Sequence, residues 1–252
     1  MNEDKKIYTI HKQNSLIRAN LKNYNLQQLK FLNAIYHLVQ KDYRNIKKNN
    51  YKLSVKYSKL IDLMGYDTLK SNPISKIINE SKILLEPLIL NKKDTKLIKS
   101  ISIQNEEYRN VLDITVSKKF IKLAKEKTNW TKIDLSFLNS AKSLFQYRLY
   151  EYLKSYNNLK SRKLVLYFED YINIFETNNI YFSNMILKIN RAINFINDIS
   201  DLDIEVIYNK KNNLIVFNFK NKTDIEIKSL LKNDKIMNDN EGIANRILKN
   251  IS

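Results

Sequence analysis

The chain has 252 residues, 43% of them hydrophobic, and carries 44 Lys and Arg against 26 Asp and Glu, a formal charge of +18. It has two Gly, two His and no Cys. These numbers exclude a phosphate-binding loop of the G-x-x-x-x-G-K type, a dinucleotide fingerprint and a His/Cys zinc tetrahedron, and they leave no disulfide. ATP-driven mechanisms are therefore not expected; a metal site made of carboxylates alone stays open, although no constellation points to one, and no cofactor is implied. No Gly-x-Ser-x-Gly elbow and no run of about 18 apolar residues occurs. Met1–Lys6 is polar, without an apolar signal region, so a cytoplasmic site with no membrane contact is expected. The charge favours a polyanion, nucleic acid first. A second explanation is AT-rich coding, since Lys, Asn, Ile and Tyr are all abundant. The placement of the cations separates the two.

In chain order, residues 1–12 read as a loose arm. From Asn25 to Lys41, Leu29, Leu32, Tyr36 and Val39 repeat at helical spacing, with Phe31, Ile35 and Leu38 beside them. His37 falls inside that helix without ligand spacing around it. Ser54 is the expected cap of a second helix that turns Tyr57, Leu60, Ile61 and Met64 inward, with Gly65 just past its end. Asn72 and Pro73 open a third, with Ile74, Ile77, Ile78, Ser81 and Leu85 inward and Pro87 as its stop. Strands follow at 97–103 and 111–116, joined by 104–110. Three helices and a hairpin make a winged helix-turn-helix. After a connector (117–140) with a short helix at 119–127 and a strand at 130–135, the order recurs. It runs as a helix with Phe145, Leu149, Tyr152, Leu153 and Tyr156 on one face, a strand at 164–167, and a helix around Phe168, Tyr171, Ile172 and Phe175. A helix over 182–198 and a hairpin over 203–220 complete it.

The expected fold is α+β, mainly α, with two tandem winged helix-turn-helix domains in a pseudo-symmetric arrangement. Domain 1 spans 13–128, domain 2 spans 129–221, and 222–252 form a mobile tail with a terminal helix near 242–251.

The helix over 182–198 is the candidate reader. Phe182, Ile186, Ile189, Ile193 and Ile196 form its apolar stripe. Tyr181, Asn184, Lys188 and Arg191 lie opposite. Asn matches the adenine edge, Arg the guanine edge, and Lys a phosphate or guanine. The hairpin that follows turns through Asn209-Lys210-Lys211-Asn212-Asn213. A turn needs the Asn chemistry but not the lysines, so Lys210 and Lys211 are expected to contact phosphate. In the first half, Lys76 and Asn79, with Ser75 and Lys82, face outward from the third helix. That hairpin carries Glu106 and Glu107, which repel phosphate, so weaker DNA binding or association between copies is expected there. Arg148 has two readings, a surface pair with Glu151 one turn on or a phosphate contact from a flanking helix.

"SAKSLFQYRLYEYLKSYNN" (140–158), with its Arg-Leu-Tyr-Glu core, resembles the signature helix of the iteron-binding, theta-type plasmid replication initiators. "WTKIDLSFLNS" (130–140) resembles that family's linker strand. "MILKINRAINFINDISDLDIEVIYNKKNNLIVFNF" (185–219) resembles its recognition helix, its Glu-Ile-Asn-x-x-[Ser/Thr]-Asp-Leu junction, with Phe195-Ile196-Asn197 in place of the Glu-Ile-Asn, and its wing. "KQNSLIRANLKNYNLQQLKFLNAIYHLV" (12–39) resembles its opening helices. The family's wing reads Lys-x-Gly-Arg, whereas Lys211-Asn212-Asn213-Leu214 stands here, leaving the turn geometry open. The resemblance implies a non-enzymatic initiator that binds direct repeats in double-stranded origin DNA as a monomer. It also implies melting of an adjacent AT-rich segment and recruitment of the host replication initiator and replicative helicase. A homodimer, in equilibrium with the monomer and held through the first domain, would repress the chain's own gene at an operator inverted repeat. A dimeric repressor without an origin role and a protein-binding adaptor are the competing readings.

Overall fold

The computed structural model describes residues 8–66, 81–90, 93–106, 109–126, 128–158, 160–176 and 180–220, with backbone alone over 105–110. The chain divides into two compact units. The first runs to Ser155 and takes in Asn173–Thr177; the second holds Tyr156–Ile172 and the chain from Asn178 onward.

In the first unit, β1 (Thr9–Gln13) pairs antiparallel with β7 (Trp130–Asp134), Ile10 opposite Ile133. The part of the expected arm that is described is thus a strand. Its Ile10 and Lys12 are 1% and 0% exposed, and a segment so buried must pair its backbone groups. A short helix α1 (Asn14–Ile17) leads to α2 (Leu26–Lys48). Asn25 caps α2 in a capping box. Its side chain accepts from the Gln28 backbone at 2.9 Å, and Gln28 accepts from the Asn25 backbone at 2.7 Å. Leu29, Phe31, Leu32, Ile35, Tyr36 and Val39 are buried as their spacing predicts. α2 runs past Lys41, with a break in helical geometry at Asp42. His37 is half-buried, its Nδ1 3.1 Å from the Thr9 carbonyl.

Ser54 is not a helix cap. It lies in β2 (Lys52–Lys56), and α3 (Tyr57–Leu63) starts directly after Lys56 without a side-chain cap. Leu53 and Val55 are buried between exposed neighbours, the period of two that defines a strand. The Ser54 hydroxyl donates to Asp113 at 2.5 Å. That carboxylate is 3% exposed and also accepts from Gln104 and pairs with Lys52 at 2.8 Å. Gly65 follows α3 at φ +74°, and a Cβ there would stand 2.6 Å from that of Asn139, so glycine is required both by backbone and by space. Residues 67–80, with the expected cap Asn72 and most of the third helix, lie outside the described residues; Ser81–Leu85 form a 3-10 helix. A hairpin of β3 (Leu88–Leu90) and β4 (Lys93–Thr95) was not foreseen. The main hairpin, β5 (Ile98–Glu106) and β6 (Arg109–Val116), has longer strands than expected. β2 adds to it in the order β2-β6-β5. The connector forms α4 (Lys118–Lys125), capped by Ser117, then β7 and α5 (Leu135–Asn139), capped by Asp134.

The helix α6 (Leu144–Lys154) groups with the first unit, so the division falls near Ser155 rather than at 128/129. All seven residues from Tyr147 to Leu153 are buried, which no helix with a single inward stripe shows.

In the second unit, β8 (Lys163–Tyr167) leads into α7 (Phe168–Phe175), followed by α8 (Phe182–Ile199), β9 (Asp203–Asn209) and β10 (Leu214–Lys220). Its sheet order is β8-β10-β9. In both halves a strand enters a helix without a loop and pairs with the second strand of the closing hairpin, so one winged-helix plan is used twice. Of the inward set predicted for α7 only Tyr171 is buried. The buried line of α8 is Met185, Ile189, Ala192, Ile193 and Ile196, while Phe182 and Ile186 are half-buried. The buried stripe is turned slightly from the one predicted, with Met185 and Ala192 inside and Phe182 and Ile186 at its edge.

Candidate nucleic-acid interface

The exposed face of α8 begins at Tyr181, 81% exposed at the N-cap position. Asn184 and Arg191 are exposed and Lys188 is half-buried on the same face. Leu187, 56% exposed, stands among them. This face therefore combines amide, guanidinium, ammonium and apolar surface, with the opposite side of the helix closed against the sheet.

Helix and hairpin are joined at three points. Asn197, near the C-terminus of α8, is bound twice to the backbone of β9: its Nδ2 donates to the Ile204 carbonyl at 2.8 Å and its Oδ1 accepts from the Ile204 amide at 2.9 Å. Ser200 is buried and its Oγ accepts from the Leu202 amide at 3.1 Å, tightening the turn between helix and strand. At the other end of β9, the Tyr208 hydroxyl donates to Asn190 Oδ1 at 2.7 Å. Burial pushes the Tyr208 phenol up, so it stays protonated and able to donate. The Asn197-Asp198-Ile199-Ser200-Asp201-Leu202 junction is thus a geometric lock between reader helix and wing. Asn197 belongs to the junction that carries the family resemblance, although no contact follows for it from the sequence; Asn190 and Tyr208 carry no signal of their own there. Asn197 directly follows Ile196, the last residue of the apolar stripe, in the last turn of α8, where an Asn side chain can bond nearby backbone.

Lys210 and Lys211 are exposed at the tip, with Asn209 opposite Leu214 as the last strand pair. Asn209 Oδ1 accepts from the Asn212 amide at 3.1 Å, and Asn213 adopts φ +52°. The left-handed position that a Gly would fill is taken by Asn, which tolerates it. The Asn213 carbonyl accepts from the Phe168 amide at 2.8 Å, which ties the tip to the start of α7. Within the hairpin the carboxylates Asp203 and Glu205 sit at the far end. Glu205 lies five residues before Lys210, about 16 Å along an extended strand and beyond a physiological Debye length of about 8 Å. Glu169 and Asp170 open α7 on the β8 side, whereas the lysines continue from β9.

Arg148 belongs to neither of the places predicted for it. It is 4% exposed, and its guanidinium donates to the carbonyls of Ile17 at 2.9 Å and Ala19 at 3.1 Å, with Glu151 at 3.7 Å. It can reach no phosphate. Two carbonyls left without partners at the end of α1 draw it inward, and Glu151 compensates its charge. Lys76, Asn79, Ser75 and Glu107 lie outside the described residues, as do the side chain of Glu106 and the tail 222–252. Among the described residues no group of three or more His, Cys, Asp or Glu could hold a metal ion, and no helix is long and apolar enough to cross a membrane.

No curated protein matches the chain. Among solved structures it is similar to the Pi initiator protein, crystallised in complex with iteron DNA. The TM-score is 0.62 at 15% identity, covering 88% of this chain and 100% of that one. Two crystal structures of domains 2 and 3 of RctB are similar at a TM-score of 0.45. They are 14% and 13% identical, and the matches cover 77% and 79% of this chain and 82% and 83% of those. The family model described as initiator replication protein, WH1, matches residues 9–154. That span is more than half of the chain and runs from β1 through the Arg-Leu-Tyr-Glu helix, so this chain belongs to the initiator replication protein family.

Proposed function

We propose that the chain is a plasmid replication initiator that binds direct repeats in double-stranded origin DNA as a monomer through α8 and the β9–β10 wing. In this reading it promotes melting next to the repeats and recruits the host replication initiator and replicative helicase, while its dimer represses its own gene at an inverted repeat. It acts in the cytoplasm by binding alone, with no catalytic step. The observation that carries the proposal is the exposed face of α8, with Asn184, Lys188 and Arg191, locked beside a hairpin whose tip presents Lys210 and Lys211. A helix of this kind enters the major groove while the wing follows the adjacent backbone. Membership of the initiator family and the likeness of fold to a protein crystallised with iteron DNA support it.

Fluorescence anisotropy tests it, with the full chain on the duplex flanking its own gene and on a scrambled duplex at two salt concentrations. Preference for a repeat-bearing duplex that survives the higher salt is expected. Asn184→Ala or Arg191→Ala should cost about 1–3 kcal/mol and relax that preference, whereas Lys210→Ala or Lys211→Ala should weaken binding to all duplexes alike. Equal binding of both duplexes by the unaltered chain would overturn sequence-specific recognition.

A further inference from the structure

Leu187 is the one large apolar side chain within the helical part of α8 that stands more than half exposed among the described residues, at 56%. It is not spare core. Its neighbours Met185 and Ile189 fill the inner side at 0% exposure each, and Ile186 closes the flank. Its own neighbours by helical spacing are Asn184 at i−3, Asn190 at i+3 and Arg191 at i+4, all exposed. A leucine thus sits in the middle of an otherwise polar reading face.

We infer that Leu187 is a specificity-determining residue that reads thymine through its C5-methyl group. The inference rests on the proposed placement of α8 in the major groove. There the bases offer donors and acceptors, and the methyl of thymine is their one apolar projection. Asn184 stands one turn before Leu187, with Cβ atoms about 5–6 Å apart at that spacing. An A·T pair shows both an adenine edge suited to an Asn amide and a methyl suited to a Leu. The two side chains together select A·T pairs, and Leu187 rejects cytosine, which pairs differently and lacks the methyl.

The test replaces every thymine in the repeat segment by deoxyuridine, which keeps base pairing and removes only the methyl. Anisotropy is measured for the full unaltered chain and for Leu187→Ala on the thymine duplex, the uridine duplex and a scrambled duplex. Being exposed, Leu187 can be truncated without loss of fold, and thermal melting of the variant verifies this. The unaltered chain is expected to bind the uridine duplex more weakly, on the order of four-fold for each methyl contacted, the weight of one buried methyl-sized group. Leu187→Ala is expected to bind thymine and uridine duplexes equally. Equal binding of both by the unaltered chain would overturn the inference, as would a variant that keeps the full difference, since another residue would then read the methyl. Should the unaltered chain fail to prefer the repeat over the scrambled duplex, the groove placement itself falls, and the inference with it.

Discussion

Arg148 illustrates how a charge can be structural. Around it lie Lys12 and Glu151, both 0% exposed and 2.6 Å apart. Asn33 donates to Glu151 at 2.9 Å and to the Tyr147 hydroxyl at 2.6 Å, and Tyr147 donates to the Leu29 carbonyl at 3.2 Å. Burial pulls Lys12 and Arg148 down from their usual values, and Glu151 draws both back up. One carboxylate serves two cations, so each partner is costly to remove. Arg148→Ala should destabilise the chain by about 3–5 kcal/mol, the range for breaking a buried pair, read from the denaturant midpoint. DNA affinity of the folded fraction should stay unchanged. A uniform loss of affinity in a variant of normal stability would return Arg148 to a phosphate role. Sequence spacing put Arg148 opposite the inner stripe of its helix, which is correct as geometry. What spacing could not register is that a second segment covers that side.

At the scale of elements, the lock between α8 and β9 decides whether the wing can follow the helix. Asn197→Ala removes both bonds to Ile204 and leaves backbone groups there unsatisfied, at about 1–3 kcal/mol of stability. It should also uncouple the wing. In a double-mutant cycle, Lys210→Ala with Lys211→Ala should cost less affinity in the Asn197→Ala background than in the unaltered chain. An equal cost in both would mean that the junction does not position the wing. Elements in the second half were legible because alternation in Lys163–Tyr167 and the stripe of α8 are strong local signals. The matching strand Lys52–Lys56 has the same exposed–buried alternation. Ser54 is also a good helix cap, and the strand pairing that overrides this preference is with β6, about 60 residues on.

For the molecule as a whole, the charge of +18 needs to be divided between contact and background. Phosphate contacts release counterions, so the logarithm of affinity falls with the logarithm of salt in proportion to their number. Replacing Lys210 and Lys211 together by Ala should reduce that slope by about two. Replacing Lys47 and Lys48, two exposed lysines at the end of α2 and no part of the proposed α8–wing surface, should change it far less. Equal changes would favour a diffuse charge set by coding bias.

Periodicity and turn chemistry by themselves determined the strand ending at Tyr167, the long helix over 182–198 and the cationic hairpin tip, because each is encoded within a stretch of about twenty residues. The tertiary structure alone decided that residues 9–12 form a strand, that Ser54 feeds Asp113, that the Arg-Leu-Tyr-Glu helix is buried on every side of its centre, and that Leu187 is left outside. These depend on partners far along the chain, as Glu151 is from Lys12 by 139 positions. A local pattern states which face a side chain takes, and only the packed chain states whether water or another segment meets it there.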